Sequence, residues 1–101
     1  MIIQGSNEPI YLIFDDVNDL PIDIAISLRN ELTEFKHWGM DDITVEDMTY
    51  IAPISQAESL NWPEGPCVVE AKWMDSYGNT IFMPVRTRIA RWDDKTILSE
   101  G

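Results

Sequence analysis

A chain of 101 residues, 45% hydrophobic and 25% charged, has the make-up of one folded domain spanning 1–101 around a single core. A net charge of −11 excludes a broad basic face for nucleic acid, since such binding rests on neutralising phosphates. No apolar run approaches the roughly 18 residues of a membrane span, and the opening MIIQGSNEPI lacks the basic start and apolar core of a signal peptide.

The first strand signal is EPIYLIFDD, where Ile10, Leu12 and Phe14 alternate with Tyr11, Ile13 and Asp15. IDIAISLRN is the cleanest half-buried strand, with Ile22, Ile24, Ile26 and Leu28 opposite Asp23, Ala25, Ser27 and Arg29. LTEFKHW can alternate Phe35 and His37 against Glu34, Lys36 and Trp38. DITVEDMTYIAP reads as two short strands, Ile43–Val45 and Met48–Ala52, joined at Glu46 and Asp47 and stopped by Pro53.

The β rhythm breaks in ISQAESLNWPEGP. Ser55 followed by Glu58 fits a capping box, which predicts a helical turn over Gln56–Leu60 before Pro63 and Gly65 end it. A long hairpin follows. Cys67, Val69, Ala71 and Trp73 face one way, with Val68, Glu70, Lys72 and Met74 opposite. After the turn Asp-Ser-Tyr-Gly-Asn, Ile81, Met83, Val85, Thr87 and Ile89 face one way, against Phe82, Pro84, Arg86, Arg88 and Ala90. Pro84 cannot donate a ladder bond, so it marks an edge strand or a bulge. The polar tail DDKTILSEG reads as frayed unless Ile97 and Leu98 dock on a neighbour.

About seven short strands, one helical turn and no βαβ alternation predict an all-β, antiparallel, Ig-like β-sandwich. The Cys–Trp–Cys signature of antibody domains is missing, because Cys67 is the only cysteine; it also leaves no internal disulfide and suits a reducing compartment.

Signatures of enzymes are absent. His37 and Cys67 are each the only residue of their kind, so a nucleophile pair would need a chance meeting in the fold and a third orienting group. Asp15, Asp16, Asp19 and Asp23 are oxygen ligands of the type calcium favours, but their spacing fails the EF-hand pattern and suits an acidic turn. Neither a zinc pattern nor a phosphate-cradling glycine loop is present. The expectation is a protein that is not an enzyme and takes no cofactor and no metal.

Binding residues are better represented. Trp38 and Trp62 lie beside turns, where each ring either caps an end of the sandwich or stands half-exposed to anchor a partner or stack on a sugar. Met74, Phe82 and Pro84 fall on the face opposite the inferred core, and Arg86 and Arg88 share that face. Charge is divided to match. Residues 1–66 hold thirteen acidic side chains against Arg29 and Lys36, whereas 67–101 hold five acidic and five basic ones. This is either a solvated acidic face or a pair of complementary faces that dock subunits head to tail. The arginines could equally serve only to balance Glu70 and Asp75 nearby.

The order of MIIQGSNEPIYLIFDD, LPIDIAISLRN, DITVED, PISQAESLNWPEG and VVEAKWMDSYGNTIF resembles small tail and baseplate proteins of siphophages and prophages. It is most similar to the N-terminal Ig-like domain of baseplate upper proteins. The matching residues are the bridge Ser55, Gln56, Glu58, Ser59, Leu60, Pro63 and Gly65 and the turn Asp75, Gly78 and Asn79. Those proteins continue into a receptor-binding-protein scaffold, whereas this sequence has 101 residues, so the resemblance implies a module with a structural role. The expected function is a virion component, made in the host cytoplasm, that associates with other phage structural proteins or copies of itself. Its expected interface comprises Met74, Phe82, Pro84, Arg86, Arg88, Trp38 and Trp62, with no direct nucleic-acid contact and no membrane insertion. Two alternatives belong to other classes: an acidic inhibitor of a host nucleic-acid-binding or defence protein, and a carbohydrate-binding module built on Trp38 and Trp62.

Overall fold

The computed structural model describes residues 1–91; Trp92 and the tail with Ile97 and Leu98 lie outside the described residues. Within them the chain forms β1 (Ile2–Ile3), β2 (Ile10–Ile13), β3 (Asp23–Arg29), β4 (Glu34–Trp38), β5 (Thr44–Glu46) and β6 (Thr49–Ala52). A short helix α1 (Gln56–Ser59) then leads to the long strands β7 (Gly65–Met74) and β8 (Thr80–Ala90). Two 3-10 turns, Val17–Asp19 and Met40–Asp42, complete the list of elements. No helix among the described residues is long and apolar enough to cross a membrane.

The strands make two sheets, ordered β1-β8-β7-β3-β4 and β2-β6-β5. All pairs are antiparallel except β1 with β8, which run parallel at Ile2–Ile89 and Ile3–Ala90. With β2, β6 and β5 as strands B, E and D, and β3, β7 and β8 as C, F and G, this is the immunoglobulin arrangement, β4 standing in the C′ position. The expected all-β, Ig-like sandwich is therefore the fold. The described residues form eight strands rather than about seven, and β7 and β8 are long because nothing interrupts their alternation across ten and eleven residues.

The core forms where the inner rows of the two sheets meet. Ile24, Ile26 and Leu28 of β3 are buried beneath Phe14, Tyr50 and Ala52, as the alternation required. Ile22, placed on the same face by the sequence, precedes β3 and is exposed. Phe14 meets Tyr50 of the small sheet and Trp73 of the large one edge-to-face, both at 5.3 Å between ring centres. The β5–β6 connection is tight enough to hold Asp47 at φ 53, in the left-handed region.

Helix α1 is capped as expected at its N-terminus, with Ser55 Oγ accepting from the Glu58 backbone N–H at 3.2 Å. The Glu58 carboxylate turns back toward Ser55, accepting its hydroxyl at 2.9 Å, and lies 2.6 Å from Lys36 Nζ. These bonds, that from Lys36 foremost, hold the Glu58 carboxyl below its ordinary pKa. A lowered folded pKa adds stability above the unfolded value, and that contribution is lost as the pH falls through the folded one. Ser59 ties the helix to the N-terminal segment by donating to the Ser6 carbonyl at 2.7 Å. Replacing Ser55 with Ala should lower stability by about 1 kcal/mol, read from denaturant unfolding, because the hydroxyl satisfies an otherwise orphaned helix N–H.

Candidate interaction surface

The β7–β8 hairpin carries five of the seven residues expected at an interface, and its turn sets their register. Asp75 Oδ1 accepts the backbone N–H groups of Tyr77 and Asn79, each at 2.9 Å, and Gly78 takes φ 86, which a side chain disfavours. The bond from Asn79 is the main reason that the Asp75 carboxyl sits below its ordinary pKa. From this turn the pairing runs unbroken through Lys72–Phe82, Glu70–Pro84, Val68–Arg86 and Pro66–Arg88. Met74, Phe82, Pro84, Arg86 and Arg88 thus share the outer face of the large sheet, opposite the inner row of Cys67, Val69, Ala71 and Trp73.

All five are exposed, Phe82 at 58%. Lys72 Nζ lies 5.5 Å from the Phe82 ring centre, within cation–π range. The carboxylates that could have neutralised the arginines are engaged elsewhere: Glu70 is 3.5 Å from Arg29, and Asp75 is bound into its own turn. Among the described residues Arg86 and Arg88 form no ion pair. Arg86 and Pro84 border a shallow groove of about 460 Å³ with Val68, Pro66, Arg29 and Glu31.

Trp38 and Trp62 do not belong to this surface. Trp38 is 1% exposed and its Nε1–H donates to the Pro53 carbonyl at 2.7 Å; Trp62 is 5% exposed. Both belong to the buried core: Trp38 ends β4 on its inward side, and the main chain at Trp62 is tied to the N-terminal segment by the Gln4 side chain, which donates to the Trp62 carbonyl at 2.6 Å. Neither can serve as an interface anchor or as a platform for a sugar, and the carbohydrate-binding alternative loses the residues on which it stood.

Cys67 and His37 lie on opposite faces of the large sheet, Cys67 in the inner row and His37 opposite Ser27 on the outer one. Burial pushes the Cys67 thiol above its ordinary pKa, the reverse of what a nucleophile needs. Asp16 accepts from the Asn18 N–H at 2.9 Å and so starts a 3-10 turn. Among the described residues no group of three His, Cys, Asp or Glu side chains is placed to hold a metal ion.

The alternation of β8 concealed one feature. Its inner row was expected to be core, yet Ile81, Met83 and Val85 are 38%, 37% and 49% exposed. Their neighbours across two strands, Ile24, Ile26 and Leu28, are fully buried. The narrower sheet β2-β6-β5 covers β3 and stops short of β8, leaving an apolar cleft of about 220 Å³ between β8 and β2.

No family model, no curated protein and no solved structure matches this chain.

Because Gly78 holds a positive φ in the turn that sets the hairpin register, Gly78→Ala should destabilise the fold by about 1–2 kcal/mol. Thermal unfolding checks this, and an unchanged midpoint would mean that the turn does not hold this conformation.

Proposed function

We propose that this chain is a structural assembly module of a phage tail or baseplate. It works by associating with copies of itself or with other virion proteins through the outer face of the β7–β8 hairpin. The observation that carries the reading is the exposed group of Phe82, Pro84, Arg86 and Arg88, whose two guanidinium groups have no carboxylate partner among the described residues. An aromatic ring beside unneutralised arginines is the composition of an interface centre. The thirteen acidic residues of 1–66 supply a complementary surface on a second copy.

The virion setting rests on the sequence resemblance alone. Its residues do identifiable local work: Ser55 and Glu58 cap α1, and Asp75, Gly78 and Asn79 build the hairpin turn.

Sedimentation velocity across a concentration series tests the association. Phe82→Ala should weaken it by about fivefold or more, the effect of losing roughly 1 kcal/mol at an interface centre, while the monomer keeps its melting temperature. The Arg86→Glu/Arg88→Glu variant should weaken it too and leave the residual binding less sensitive to salt. Variants that associate as well as the parent would place the interface elsewhere.

A further inference from the structure

The outer edge of β8 is unpaired along most of its length. β1 covers it only at its C-terminal end, in register with Ile89 and Ala90, so Thr80 to Thr87 has no strand neighbour on that side among the described residues. The Ala90 carbonyl accepts from the Gln4 N–H at 2.9 Å on this edge. Because backbone groups alternate in direction along a strand, those of Phe82, Pro84 and Arg86 face the same open side. Pro84 therefore costs no bond to β7; it removes one N–H from the open edge and leaves its carbonyl free to accept.

Directly beneath this edge lies the apolar cleft, floored by Ile26, Val69 and Ala71 and walled by Met83 and Val85 on one side and Leu12 on the other. In an immunoglobulin sandwich strand A lies beside strand B, here β2. That position is empty among the described residues, since β1 lies against β8 instead. Among the described residues the structure thus combines three features: open backbone donors and acceptors, half-exposed apolar side chains in a row, and two arginines without an ion pair on the outward-facing positions. A lipid or small apolar ligand would fill the cleft but leave the backbone unpaired. An extended polypeptide satisfies both.

We infer that the cleft between β8 and β2 receives a strand donated by a partner protein. The strand hydrogen-bonds along Thr80–Thr87, its alternate apolar side chains fill the cleft, and its intervening acidic side chains face Arg86 and Arg88. This is β-strand addition, in which the main chain supplies affinity and alternate pockets supply specificity. The inference rests on the association reading and adds to it a second contact, a partner protein's strand on the edge of β8. It rests on the edge and inner face of β8, whereas Phe82→Ala probes the outer face, so the two can fail separately.

The test uses the full chain and a capped nine-residue peptide alternating valine or isoleucine with glutamate or threonine. A control peptide has the same composition with its apolar residues placed consecutively. The alternating peptide should slow hydrogen exchange at the Phe82 and Arg86 amides by about tenfold or more. Val85→Glu puts a carboxylate into the cleft at an already half-exposed position, and should weaken peptide binding by about tenfold or more with the circular dichroism spectrum unchanged. Val85→Ile, which keeps the apolar wall, should bind like the parent. Three results would overturn the proposal: equal binding of the control peptide, unchanged exchange at the two amides when peptide is present, or no binding. Protection of the same amides by concentration alone would also overturn it, since the occupant would then be a second copy.

Discussion

Phe14 joins the two sheets. It follows β2 directly, its backbone N–H donates to the Met48 carbonyl at 2.9 Å, and its ring packs edge-to-face on Tyr50 and Trp73. Each such aromatic pair contributes about 0.5–1.5 kcal/mol beyond simple burial. This double contact sets where the three-stranded sheet lies on the five-stranded one. With the small sheet held over β3, the residues Ile24, Ile26 and Leu28 are sealed, and β4 brings Trp38 under the same cover. A sheet of three strands cannot also cover β8. The uncovered inner row of Ile81, Met83 and Val85 follows from that difference in width.

The consequences of this position run through the hairpin. As an edge strand β8 can hold a proline mid-strand, because Pro84 directs its missing donor away from β7. Proline and charged side chains are the usual means by which natural sheets discourage indiscriminate edge pairing. In β8 these guards are few, and they sit beside Phe82 and above an apolar cleft. Such an edge is the one the proposed strand addition would use. On that proposal, specificity comes from matching both the alternation and the charge of the incoming chain.

Much of this was legible in the sequence, and the limits have physical causes. Period-two alternation assigned the faces of β3, β7 and β8 residue by residue, and Ser55 with Glu58 marked the helical turn. Alternation states which side of a strand a residue occupies, but not whether a second sheet extends above it. Ile81, Met83 and Val85 were for that reason expected to be buried. The same limit left Trp38 and Trp62 open between end cap and interface anchor: proximity to a turn does not reveal that the Trp38 indole reaches the Pro53 carbonyl or that Trp62 joins the core. Strand β1, two residues long, has no period to detect and exists only through its pairing with Ile89 and Ala90.

Amide hydrogen exchange followed by NMR in a dilute sample, below any concentration at which the chain associates, tests the open-edge account most directly. The amides of Ile81, Met83, Val85 and Thr87 point toward β7 and should be protected. Those of Phe82 and Arg86 should exchange at near-unprotected rates, giving an alternating pattern along one strand. Uniform protection along β8 in the dilute monomer would contradict the account, because another segment of the chain would then already occupy the edge.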